Sequence, residues 1–214
     1  MPRLNPPTLA LVMIAAAALA LTLTAATGAL VPGEIRLARE VQSASGGHRL
    51  DAVGDFLALP LVEAIVVLVA ALIAAVRRNA PLALAAIFAA AAIALNPELK
   101  LLIARARPTA ADVRVTEFPG GMGFPSGHTL AATLLYGYAG VVAWRVLPRW
   151  AALAATLPAA CAIALIGFER IYSGAHWPSD VAGGFTIGIL LLAAAVALSR
   201  AATRAWKRAG RPPA

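Results

Sequence analysis

Six stretches of the chain are apolar and long enough to read as membrane helices: residues about 8–30, 61–76, 81–103, 128–147, 150–168 and 181–199. A crossing takes roughly 20 mostly apolar residues in a helix, because the hydrocarbon layer is about 30 Å thick. The second stretch is short, which places its start a few residues earlier, near Phe56. Backbone groups in lipid must be satisfied within the protein, which leaves helices or a closed barrel. Ala and Leu dominate the six stretches with no two-residue alternation, so helix is expected. The first stretch is longer than the roughly 15 residues of a signal-peptide core and is read as a span. Residues 31–60 follow another pattern: Ile35, Leu37, Val41, Leu50, Val53, Phe56 and Leu57 are interleaved with charges and with Gly46-Gly47. That pattern predicts one or two helices lying on the membrane surface. His48 within it reads as part of a surface cover without chemistry. The expected fold is all-α, a polytopic membrane protein with six transmembrane helices and an amphipathic outer-surface helix after the first.

Composition strengthens this picture. Of the 214 residues, 61% are apolar and 13% charged, more apolar surface than a soluble domain of this size can hide. The formal charge of +8 does not gather into one basic patch but falls in small groups between the apolar runs, which argues against nucleic acid. Cys161 is the single cysteine, so no internal disulfide is possible. One domain over 1–214 is expected, with its motif-bearing core at about 50–200 and a basic tail at 201–214.

Charge also gives direction. With loops numbered alternately from the N-terminus, one side holds Arg3, Arg77, Arg78, Arg145, Arg149, Arg200, Arg204, Lys207, Arg208 and Arg211 and no acid. All ten acids fall toward the other side: Glu34, Glu40, Asp51, Asp55, Glu63, Glu98, Asp112, Glu117, Glu169 and Asp180. Short loops rich in Lys and Arg stay cytoplasmic. Both termini are therefore expected inside the cell (inner) membrane, with the acidic loops on the periplasmic or extracellular side. Trp144, Trp150 and Trp206 near one boundary and Trp177 near the other fit interfacial belts.

Three polar clusters interrupt the apolar pattern, all on the expected outer side. In the first, Lys100 and Arg107-Pro108 stand two helical turns apart and share a face if the helix continues. Two cations there suit an anion, while snorkelling at a helix end is the plainer reading, and the one preferred for Arg105. In the second, Pro125-Ser126-Gly127-His128 opens the fourth apolar run. Ser126 suits an N-cap, Gly127 permits close approach to an anion at the helix N-terminus, and His128 can donate a proton. A cap and a turn would explain it alone. In the third, His176 and Asp180 are four residues apart, a spacing that lets the carboxylate fix one imidazole nitrogen and free the other. Arg170 adds a forked donor for phosphate oxygens. Together the clusters supply three cations, a helix N-terminus, two histidines and an orienting acid, the contents of a phosphate pocket with a nucleophile and a general acid.

These clusters resemble the signature of the type-2 phosphatidic acid phosphatase family, the lipid phosphate phosphatases, which is related to vanadium haloperoxidases. The family pattern is Lys-x6-Arg-Pro, then Pro-Ser-Gly-His, then Ser-Arg-x5-His-x3-Asp. It matches here at Lys100, Arg107 and Pro108, at Pro125 through His128, and at Arg170, His176 and Asp180. Glu169 stands where the family has Ser, and is expected to turn away from the pocket or to pair with Arg105 or Arg170.

The resemblance implies a two-step hydrolysis in which His176, oriented by Asp180, attacks phosphorus and His128 protonates the leaving oxygen. Lys100, Arg107, Ser126, Gly127 and Arg170 would bind the phosphate. No metal or other cofactor is implied. The implied substrate is a membrane lipid phosphate or diphosphate, with undecaprenyl diphosphate first, then phosphatidate or phosphatidylglycerol phosphate. Rival readings are a lipid phosphotransferase on the same scaffold and a non-catalytic lipid-phosphate binder or transporter. A haloperoxidase fits poorly, since those relatives are soluble. Ala- and Gly-rich faces could pack within the bundle or against a partner, and the sequence leaves both open.

Overall fold

The computed structural model describes residues 5–44 and 46–209. Arg3 and Arg211, which entered the orientation argument, lie outside them, as do residues 210–214 of the basic tail. The described residues form helices α1 (Pro6–Ala26), α2 (Glu34–Gln42), α3 (Gly47–Leu57), α4 (Pro60–Val76), α5 (Ala80–Ala94), α6 (Asn96–Ile103), α7 (Gly127–Val146), α8 (Arg149–Tyr172) and α9 (Pro178–Ala209). The all-α expectation holds: among the described residues there is no strand.

Helix boundaries follow local chemistry. The Asn5 side chain caps α1 by accepting from the Thr8 N–H at 3.0 Å. Proline at the first helical positions opens α1, α4, α5 and α6, where its missing N–H is no loss. The third apolar run divides at Leu95, just before Asn96-Pro97, into α5 and α6. The amphipathic stretch forms two helices, α2 and α3, and α3 meets α4 at a bend of 56°. The second apolar run thus begins at Pro60 rather than near Phe56.

Four helical stretches are long and apolar enough to cross a membrane: 6–26, 80–103, 149–172 and 178–208. A fifth follows if the bent pair of α3 and α4 makes one span. The remaining expected span, α7, does not meet that measure. Thr129, Thr133, Tyr136 and Tyr138 dilute its apolar character, and protein surrounds it instead of lipid. Helices α8, α9, α4 and α5 all pack along it. Tyr138 donates to the Leu82 carbonyl of α5 at 2.9 Å, and Tyr136 to the Leu57 carbonyl at 2.8 Å. A central helix needs small neighbours, and α9 provides them. A Cβ on Gly188 would lie 2.7 Å from Thr133 Cβ, and one on Gly184 would lie 2.9 Å from the Ser126 carbonyl oxygen. The outward faces of α1, α4 and α8 carry exposed Leu, Ile and Val, as a lipid-facing surface does.

α9 is a single helix of 32 residues whose first turn carries Asp180 and whose last carries Lys207 and Arg208. With the N-terminus of α7 and the C-terminus of α8, its first turn frames one end of the bundle, and there the three polar clusters meet.

Candidate active site

The first cluster is assembled differently from the two-turn helical spacing. The residue before a proline avoids the helical region, and Arg107 precedes Pro108. α6 ends at Ile103, Ala104 turns left-handed at φ 54°, and Arg107 lies in irregular chain. The two cations still converge, because both reach the loop at 120–122. Lys100 Nζ donates to the Met122 carbonyl at 3.2 Å, and Arg107 donates to those of Gly121 at 3.0 Å and Gly120 at 3.4 Å.

Ser126 occupies the N-cap position of α7 with extended backbone, but its side chain makes no capping bond; it accepts from Thr129 Oγ1 at 3.0 Å. Its own N–H donates to the Asp180 carbonyl at 3.0 Å, tying the second cluster to the third. Gly127 sits close to Lys100: a Cβ there would fall 3.8 Å from Nζ and 3.0 Å from Asn96 Nδ2. The helix terminus and the first cation therefore address the same space.

The third cluster turns at Gly174, whose φ of +74° and tight approach to the Arg114 carbonyl exclude a side chain. This turn brings the His176 N–H to the Arg170 carbonyl at 3.0 Å. The His176 ring is buried between two charged groups. Its Nε2 lies 3.0 Å from Arg107 Nη1, and its Nδ1 lies 3.5 Å from Asp180 Oδ2. A guanidinium can only donate, so Nε2 is the unprotonated nitrogen and Nδ1 carries the proton toward Asp180. The carboxylate acts on Nδ1 through its charge, since at 3.5 Å Nδ1 makes no hydrogen bond. Burial pushes the imidazole pKa down to about 4; Asp180 opposes the shift, while Arg107 and Lys100 add to it.

Arg170, 2% exposed, is surrounded by acids. Its Nε bonds Glu169, its Nη1 lies 3.0 Å from Glu117 Oε2, and its Nη2 lies 3.6 Å from Asp55 Oδ1. Nη1 also lies 3.4 Å from His128 Nδ1, so His128 turns its Nε2 edge away from Arg170. Glu169 thus pairs with Arg170, one of the two partners expected from sequence. Asp55 and Glu117 were not among the predicted site residues, because one exposed and one half-buried acid in separate segments carry no spacing signal.

Arg105 corrects the snorkelling expectation. It is 2% exposed, and its Nη1 bonds Asp180 Oδ1 at 2.8 Å and Ser179 Oγ at 2.5 Å. Its Nη2 bonds Glu34 Oε2 at 3.0 Å and the Ala29 carbonyl at 3.4 Å. Nearby acids turned it inward, and they lie 71 and 75 residues away in sequence. His48 is exposed, in keeping with the surface reading.

The arrangement is that of a helical membrane protein with Lys100, Arg107 and Arg170 gathered at one end of its bundle around two histidines. Residues 80–204 match the PAP2 superfamily model, and the chain belongs to that superfamily. Over 100 residues it is 33% identical to phosphatidylglycerophosphatase B of Bacillus subtilis (strain 168). That match covers 45% of this chain and 47% of the relative, so the chain spans about half the relative's length. A crystal structure of a transmembrane PAP2-type phosphatidylglycerolphosphate phosphatase from Bacillus subtilis shares the fold. Its TM-score is 0.65 at 22% identity, covering 86% of this chain and 94% of that one.

Proposed function

We propose that this protein hydrolyses a phosphate from a membrane lipid, without a metal ion, through a phosphohistidine on His176. The observation that carries the reading is the His176 ring, with an unprotonated Nε2 facing Arg107 and Nδ1 turned to Asp180. A substrate phosphate that takes over Arg107 releases the Nε2 lone pair for attack. The N–P bond forms as the P–O bond to the lipid breaks, and the departing oxygen takes a proton from His128. Water then attacks phosphorus, gives its proton back to His128, and the N–P bond breaks to release inorganic phosphate. Lys100, Arg107, Arg170, the Ser126 hydroxyl and the Gly127 N–H stabilise the equatorial oxygens throughout.

The substrate class is a lipid phosphate with a small headgroup. The relative and the solved neighbour are both named for phosphatidylglycerol phosphate, which supports that lipid. Undecaprenyl diphosphate and phosphatidate belong in the same panel. The proposed topology is one domain with six spans, α7 being the central one and the α3–α4 pair contributing one. Both termini lie in the cytoplasm and the site is at the outer face of the cell membrane. The charge asymmetry of the loops supports this orientation.

The test is phosphate release by the purified protein in detergent with excess chelator, on those three lipids and a soluble phosphomonoester. Release is expected from at least one lipid, undiminished by chelator and lost in His176→Ala. Full activity in that folded variant refutes the histidine mechanism. Transfer of phosphate to a lipid acceptor with little free phosphate establishes the phosphotransferase instead.

A further inference from the structure

Glu34 lies outside the three motif clusters and Arg105 at an unassigned position within the first, yet both are buried in contact with the third. Glu34, 3% exposed, opens α2 and turns its carboxylate inward. Its Oε1 accepts from the Ser179 N–H at 2.8 Å and from the Ser179 hydroxyl, and its Oε2 takes Arg105 and the Val31 N–H, each at 3.0 Å. Arg105 passes the contact on to Asp180 Oδ1. The other oxygen, Oδ2, accepts from the Trp177 N–H at 3.0 Å and is the one that faces His176 Nδ1.

We infer that Glu34 and Arg105 are positioning residues for the His176 nucleophile: α2 fixes Arg105, Arg105 fixes one oxygen of Asp180, and the other oxygen is thereby aimed at the histidine. The inference rests on the reading of His176 as nucleophile. Apolar residues of the same volume often stabilise a fold as well as a buried ion pair does, so a buried charge row in which both Nη groups of Arg105 and all four carboxylate oxygens are bonded, and only Arg105 Nε is left without a partner, calls for a reason beyond stability. The other cations whose fields reach Asp180 are Lys100 and Arg107, which the proposed reaction assigns to substrate phosphate. By occupying Oδ1, Arg105 keeps the carboxylate from turning to those two and leaves them for the substrate.

The charged groups facing His176 are Asp180 on α9, Arg107 on the loop and Lys100 on α6. Removing Arg105 takes away the aim of Asp180 and also the cation that neutralises it; the uncompensated negative charge beside His176 favours an imidazolium and so raises the pH at which the nucleophile is lost. The experiment compares wild type with His176→Ala, Glu34→Gln, Arg105→Lys, Arg105→Met and the Glu34→Gln/Arg105→Met double variant. It reads kcat, vanadate inhibition, melting temperature and the pH profile. Arg105→Met is expected to lower kcat about 10- to 100-fold, the range found when a group that orients a metal-binding side chain is removed. Vanadate inhibition should hold, and the acid limb should move up toward 6.5. Arg105→Lys should recover part of kcat, since an ammonium can still bond Asp180 but cannot fork to both acids. The double variant removes the unpaired Glu34 charge, so melting temperature should rise above that of Arg105→Met while kcat stays low. Should Arg105→Met fail to fold, the isosteric Glu34→Gln carries the test, with kcat lowered severalfold and vanadate inhibition intact. Wild-type kcat in the Arg105 and Glu34 variants with a dead His176→Ala overturns the positioning role, as does kcat recovering with melting temperature in the double variant. Activity in His176→Ala overturns the nucleophile reading itself.

Discussion

Glu169 occupies the family's serine position, and its carboxylate claims the Nε of Arg170, a donor that the proposed reaction assigns to phosphate. Glu169→Ser removes that competitor. A hydrogen bond to a charged group is worth about 1.5–3 kcal/mol, so KM for the lipid phosphate is expected to fall by about tenfold or more, read from initial rates. A rise in KM would mean that Glu169 holds Arg170 in place for the substrate. His176 gives a second expectation. Its folded pKa of about 4 lies below the ordinary value near 6.5, so the unfolded chain binds the extra proton between these values. Its stability contribution is full above pH 6.5 and is lost as pH falls toward 4. Melting temperature should decline through that window, less so in His176→Gln, and His176 itself should impose no acid limb on turnover near 6.5. The cluster residues were legible in the sequence because spacing and residue type coincide. Arg105, Glu34, Asp55 and Glu117 were not, because their partners are distant in the chain and an Arg at a helix end looks the same whether it turns to water or to a buried acid.

At the scale of the helix, the site depends on how closely α9 approaches α7. Gly188→Leu would press on Thr133 and is expected to lower stability by about 1–3 kcal/mol, measured by thermal unfolding in detergent. Gly184→Ala meets the Ser126 carbonyl instead, so it should displace the Pro-Ser-Gly-His turn and lower turnover. The helices themselves were legible from apolar run length to within a few residues for α7 and α8. The end of the third run at 103 was legible too, but its break at Leu95 was not. The third run reads as continuous across Asn96-Pro97, and only the paired positions of Lys100 and Arg107 suggested that helix should continue past 103. That α7 is central was also hidden, since an apolar run does not say whether lipid or protein will cover it.

For the whole molecule, the alternation of charge between loops gives a topology that labelling can test. In a Cys161→Ser background, a cysteine at position 112 should react with an impermeant maleimide on intact cells, and one at 204 only after permeabilisation. The opposite pattern would place the site inside. One dimension of the bundle bears on this directly. Asp180 and Arg200 are twenty residues apart on the unbroken α9, a distance of about 30 Å along a helix and close to the thickness of the hydrocarbon layer. In the proposed topology the helix acts as a ruler: with Arg200, Arg204, Lys207 and Arg208 among headgroups on one side, it would set the height of Asp180 and His176 against the phosphates of the other. In a bilayer much thinner or thicker than this the helix must tilt or the lipid must deform. The depth at which His176 would meet a lipid substrate, and with it the rate of the proposed reaction, is then tied to the acyl-chain length of the surrounding membrane.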